Sequence, residues 1–175
     1  MLTQTFALLL CFMLQAAAIP YRSQASFRTT TDGEDGCPTG VHVIGIRGTL
    51  EAEGFGAMEN LAKKLLEDIP GSNAYPIDYP ANGIDIGPDG KPIYKPVEYI
   101  RSVNAGRRSF AIELDDFNAF CPNTSIVVMA YSQGAQVAGD VICGSTLFPF
   151  GDWDPIQDEL KANIKAFVTL GRPEK

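Results

Sequence analysis

Residues 125–139 read SIVVMAYSQGAQVAG, and this stretch decides the fold. Ser125 to Tyr131 form a β-branched, apolar run of the kind that fills a fully buried strand. Beyond Ser132 the side chains turn small, and a helix is expected from about residue 133 to 143. A strand, a sharp turn at a serine and a helix packed through small residues make the setting of a nucleophile elbow. So tight a turn needs small side chains two positions before and after the serine, and Ala130 and Gly134 supply them. The elbow lifts the Ser132 hydroxyl above the sheet edge, and the Gln133 backbone N–H then faces any oxyanion that develops there. The plainer reading is that Ser132 only caps the helix.

Outward from the elbow, the chain alternates strands with helices. VHVIGI at 41–46 is a strand. Met58, Leu61, Ala62, Leu65, Leu66 and Ile69 follow helical spacing up to Pro70-Gly71. A strand is expected around 74–79, and residues 80–96, rich in Gly and Pro, read as a loop. A second amphipathic helix over 105–119 carries Phe110, Leu114 and Phe117 on one side. A short helix near 155–163 leads to a last apolar run, KAFVTL. Such alternation predicts an α/β domain with a parallel sheet covered on both faces, which binds ligands at the C-terminal ends of its strands.

Two segments match in layout. CPTGVHVIGIRGT runs from Cys37 to Thr49, and CPNTSIVVMAYS from Cys121 to Ser132. If the two strands are parallel neighbours, about 4.8 Å apart, the cysteines meet at the foot of the sheet within disulfide reach. The same register lifts Thr49 and Ser132 together to the top edge. Two free buried thiols are the alternative.

The 175 residues hold one domain with a real core. A net charge of −7 argues against nucleic acid or an anionic membrane surface as the main partner. Residues 6–14, FALLLCFML, precede an A-x-A pattern at Ala16–Ala18 and read as a secretory signal over 1–18; a membrane anchor is the alternative. Residues 19–36 read as a loose polar arm. The domain then occupies 37–175, and the mature chain is expected outside the cell, soluble and monomeric. Cys11 leaves with the signal. Asn123, in the chain's N-T-S, is a possible glycosylation acceptor. GFGAME at 54–59 has Glu59 where a nucleotide-binding loop needs its third glycine. One histidine and scattered cysteines make no metal site. No cofactor is expected, and Arg47 is read as pairing locally.

With the Cys-Pro before each strand, R-G-T after the first and Y-S-Q-G-A at the elbow, residues 37–175 resemble the cutinase and acetylxylan esterase family of secreted serine esterases. The Y-P-A at 79–81 and C-G at 143–144 lean towards the acetylxylan esterase branch. The resemblance implies a three-layer α/β/α sandwich of the α/β-hydrolase type. It also implies hydrolysis of plant cell-wall esters (acetylated xylan or cutin) through an acyl-enzyme. Ser132 matches the nucleophile, Thr49 and Gln133 match the oxyanion-hole residues, and 80–96 falls where a loop flanks the cleft.

The chain also departs from that pattern. The family's acid and base follow the nucleophile as Asp and then His, and no histidine follows Ser132 here. His42 opens the first strand, roughly 15–20 Å below the catalytic edge at about 3.3 Å per residue, which is out of reach for a general base. Asp140 lies two turns down the elbow helix, and Asp152, Asp154 and Asp158 belong to a solvated loop and helix start. None of these is assigned as the triad acid. Gly171-Arg172-Pro173 stands where the family commonly has G-D-P. Cys143 lacks a partner. These departures lead to the expectation of a C-terminally truncated domain whose last elements are missing. Its rival is a catalytically dead, wall- or carbohydrate-binding remnant.

Overall fold

A computed structural model describes residues 27–28, 33 and 36–171. The signal over 1–18 and most of the arm lie outside these residues. The elements are β1 (Phe27–Arg28), β2 (Val41–Ile46), a 3-10 turn (Gly56–Met58), α1 (Glu59–Asp68), β3 (Asn73–Pro76), β4 (Ile84–Ile86) and β5 (Pro92–Tyr94). They continue with α2 (Pro96–Phe120), β6 (Ser125–Tyr131), α3 (Gln133–Cys143), α4 (Asp158–Asn163) and β7 (Ile164–Leu170).

The main sheet runs β1-β3-β2-β6-β7. β3, β2, β6 and β7 are parallel, and β1 joins antiparallel to β3. Two residues of the supposed loose arm therefore belong to the sheet. Edge pairing needs only free backbone N–H and C=O groups, so no side-chain periodicity announces it.

Alternation along the central strands separates the layers. Ile44, Ile46, Ile126, Val128 and Ala130 face α2 and α3, packing with Val103, Phe110, Leu114, Phe117 and Val137. Val43, Val127 and Met129 face the opposite way, onto Phe55, Met58, Ala62 and Leu66. The result is an α/β/α sandwich. Leu61, expected on the buried face of α1, stands 37% exposed instead. Coverage on both faces also fails at β7, whose Phe167, Val168 and Leu170 are exposed. This strand stands at the edge of the described sheet, and its sequence neighbour α4 spans only six residues.

Two further boundaries differ from expectation. α2 begins at Pro96 rather than near 105, because proline at the first helical position forgoes only an N–H that has no intrahelical partner there. Residues 80–96 are not wholly loop, since β4 and β5 form an antiparallel hairpin within them. No helix among the described residues is long and apolar enough to cross a membrane.

Candidate active site

β2 and β6 run side by side from Val41↔Ser125 to Ile46↔Ala130. Cys37 and Cys121 each lie four residues before their strand, and they form a disulfide with Cα atoms 5.7 Å apart. At the other end the chain leaves β2 towards Thr49 and leaves β6 at Ser132.

Ser132 has φ 50° and ψ −115°, a conformation costly for any residue with a Cβ. Its N–H donates to the Leu170 carbonyl at 2.9 Å, and its own carbonyl accepts from Ala135 N–H at 2.9 Å. These bonds hold the turn in its strained form. The Ser132 side chain makes no capping hydrogen bond to α3, so the plain capping role does not hold. The side chain is half-buried. Gly134 is required by close approach, because a Cβ there would stand 2.2 Å from the Ile46 carbonyl oxygen. α3 thereby seats directly on the upper end of β2.

The loop after β2 comes against the elbow. A Cβ at Gly48 would lie 3.1 Å from Ser132 Cβ, so the residue just before the half-buried Thr49 packs against the serine. Glu51 shapes this loop by accepting from Gly48 N–H at 2.5 Å and from Ala57 N–H at 2.7 Å. Buried Arg47 donates to the carbonyls of Glu51, Ile77 and Tyr79, while the Tyr79 hydroxyl donates back to the Arg47 carbonyl. Burial pushes the Tyr79 phenol well above its ordinary range, and the adjacent Arg47 charge only partly opposes this. The hydroxyl therefore stays a donor. Leu50, at φ 64°, donates its N–H to the Ala81 carbonyl at 2.8 Å.

Gln133 opens α3 and is fully buried. As the first helical residue its N–H has no acceptor within the helix, and it directly follows Ser132 in the chain. Its side chain is engaged elsewhere, by Ser102 on α2 and the Asn82 carbonyl. Glu51, Tyr79, Asn82 and Ser102 escaped the sequence reading as site-shaping residues. The only signals were the Arg47 reading and the Y-P-A triplet, whose Tyr79 and Ala81 now have stated contacts.

The remaining sequence-flagged groups lie apart. His42 is buried at the register position of Ile126, six residues before Ser132 and thus roughly 20 Å away. Its Nδ1 is 2.6 Å from Asn73 Oδ1, its Nε2 is 3.3 Å from Glu113 Oε1, and its ring stacks on Phe117 at 3.7 Å. Asp140 pairs with buried Arg107. Asp152 and Asp154 are exposed, and Asp158 meets Lys161 in solvent. Cys143 is a free, exposed thiol, and Asn123 is exposed between α2 and β6.

Comparison with known proteins finds relatives in both sequence and fold. A family model described as Cutinase matches residues 37–175. Acetylxylan esterase 2 of Talaromyces purpureogenus is 34% identical over 131 residues, covering 75% of this chain and 50% of that protein. Cutinase 11 of Verticillium dahliae is 32% identical over 140 residues, covering 78% and 45%. A solved acetylxylan esterase superposes with a TM-score of 0.66 at 30% identity, covering 78% of this chain and 64% of that one. The chain thus spans about half the length of these sequence relatives.

Proposed function

Because the chain belongs to the cutinase family, we propose that it is a secreted, monomeric serine esterase of the cutinase and acetylxylan esterase type, acting on carboxylic esters of plant cell-wall polymers. The observation that carries this reading is Ser132, held at a strained φ with a side chain that makes no capping hydrogen bond at the N-terminus of α3. Relatives named acetylxylan esterase and cutinase support the substrate class. Ser132 Oγ attacks the ester carbonyl carbon, and Thr49 together with Gln133 N–H receives the oxyanion. Collapse expels the alcohol and leaves an acyl-serine, which water then hydrolyses. No cofactor takes part.

The proton on Ser132 needs an acceptor. The chain's single histidine, His42, is locked in the sheet far from the hydroxyl. Turnover by this chain is therefore slow and rises with hydroxide concentration. Positioning and oxyanion stabilisation alone still leave about 10³-fold over water in serine hydrolases without their triad. Wild type and Ser132→Ala should be compared on p-nitrophenyl acetate. The expected result is a residual rate that disappears in the variant.

The placement of His42 also favours a second reading, a non-catalytic remnant that binds wall polymer. Equal rates in the two proteins would favour the remnant and refute the esterase.

Secretion has its own test. In a fungal secretory host, N-terminal sequencing should begin at Ile19. A peptide N-glycosidase should remove mass from wild type but not from Asn123→Gln. Asn123 lies at the foot of the sheet beside the disulfide, so a glycan there leaves the elbow open.

A further inference from the structure

Three residues distant in sequence close a ring of hydrogen bonds behind the elbow. Asn82 N–H donates to Ser102 Oγ at 3.0 Å. The Ser102 hydroxyl donates to Gln133 Oε1 at 2.8 Å. Gln133 Nε2 donates to the Asn82 carbonyl at 2.9 Å, which returns to the starting residue. Ser102 is 1% exposed and Gln133 0%, so the bond between them forms away from competing water, while the two bonds to exposed Asn82 are partly buried. Donors run one way round the ring, an arrangement in which each bond polarises the next.

Both halves of the proposed oxyanion hole hang from this ring. Gln133 contributes its backbone N–H at the elbow and its side chain to the ring. On the other side, Asn82 follows Ala81, whose carbonyl accepts Leu50 N–H, and Leu50 follows Thr49. Ala81 and Leu50 both have positive φ, 51° and 64°, so this junction holds its shape only while its partners hold it. Ser102 Oγ bonds both arms at once, Asn82 N–H on one side and Gln133 Oε1 on the other, beside the direct bond from Gln133 Nε2 to the Asn82 carbonyl.

We propose that Ser102 is a positioning residue that couples the Gln133 side of the oxyanion hole to the Thr49 side. This rests on the esterase reading for its catalytic meaning, but the coupling itself is measurable without activity. Ser102→Ala leaves Gln133 Oε1 and Asn82 N–H without their shared partner. The measurement is amide hydrogen exchange by NMR, with Leu50 N–H as reporter, because its hydrogen bond goes to the Ala81 carbonyl and not to Ser102. A lost buried hydrogen bond corresponds to about tenfold in an equilibrium. Exchange at Leu50 is therefore expected to speed about tenfold in Ser102→Ala, to return towards wild type in Ser102→Thr, and to do so with core β6 amides still protected. Unchanged exchange at Leu50 in Ser102→Ala overturns the proposal, and so does a rise shared equally by β6, which reports general loosening.

A second readout addresses catalysis. With a p-nitrophenyl phosphonate, the rate constant for covalent labelling of Ser132 should fall about tenfold in Ser102→Ala while the half-saturating concentration stays put. If wild-type Ser132 fails to label, the esterase reading falls, whereas the exchange experiment still decides the coupling.

Discussion

Asp140→Ala is expected to cost about 3–5 kcal/mol of stability, because it strands a fully buried guanidinium. Arg107 is 0% and Asp140 2% exposed, and both Nε and Nη2 of the arginine donate to Asp140 Oδ2. The remaining nitrogen, Nη1, reaches Asn104 Oδ1 at 3.0 Å and the Phe150 carbonyl at 3.2 Å, and the charge lies near the Phe150 and Trp153 rings. These contacts clamp the segment after α3 onto α2. None of them neutralises the cation, so loss of the carboxylate leaves a charge that can be relieved only by opening the helix pair. Urea unfolding followed by circular dichroism checks this. At a slope of about 2 kcal/mol/M the midpoint should drop by about 2 M. A midpoint within error of wild type would mean the pair is not buried as described. Replacing both partners with apolar residues (Arg107→Met with Asp140→Leu) should recover most of the loss, because it removes the desolvation cost together with the attraction.

That pair also shows where sequence reading stops. Residues 125–143 were legible because a buried strand, a tight turn and a small-residue helix each leave a local mark, and β6 and α3 lie where those marks end. The disulfide was legible because both cysteines keep the same offset from strands in parallel register. The start of α2 was not. Its first turns expose Val97 and bury Ser102, so the hydrophobic period that marks the later turns is absent there. The β4–β5 hairpin was missed for the opposite reason. Asp85, Ile86 and Pro92 to Tyr94 are all exposed, and with no face to bury, no alternation is written into the chain. In the candidate site, Ser132 and Gln133 lie at the end of β6 and the start of α3, where the strand and helix patterns put them. The ring through Asn82 and Ser102 spans 20, 31 and 51 positions, and it forms only because α2, α3 and the segment before β4 come together in the fold.

The second large effect is expected at the other end of the sheet. Cys37 and Cys121 close a loop of 84 positions, and cross-linking a loop of that size removes about 4–5 kcal/mol of chain entropy from the unfolded state. The double variant Cys37→Ala with Cys121→Ala should lose most of this stability. Its urea slope should also rise, since an uncrosslinked denatured chain exposes more surface. Native geometry should change little at the elbow, because the register of β2 and β6 is fixed by six ladder pairs between the bridge and Ser132. Ser132 chemistry at low temperature and without urea is therefore expected to survive removal of the bridge, in contrast to its loss in Ser132→Ala. The bridge and the Arg107–Asp140 pair share no partner, so their effects should add. Together they amount to about 7–10 kcal/mol, against a total of about 5–15 kcal/mol for an ordinary domain. The triple variant Cys37→Ala, Cys121→Ala, Asp140→Ala should consequently be largely unfolded at 25 °C, as read by near-ultraviolet circular dichroism. If the triple variant instead keeps a cooperative transition near that of the single Asp140→Ala variant, the bridge contributes little and the equal cysteine offsets reflect register alone.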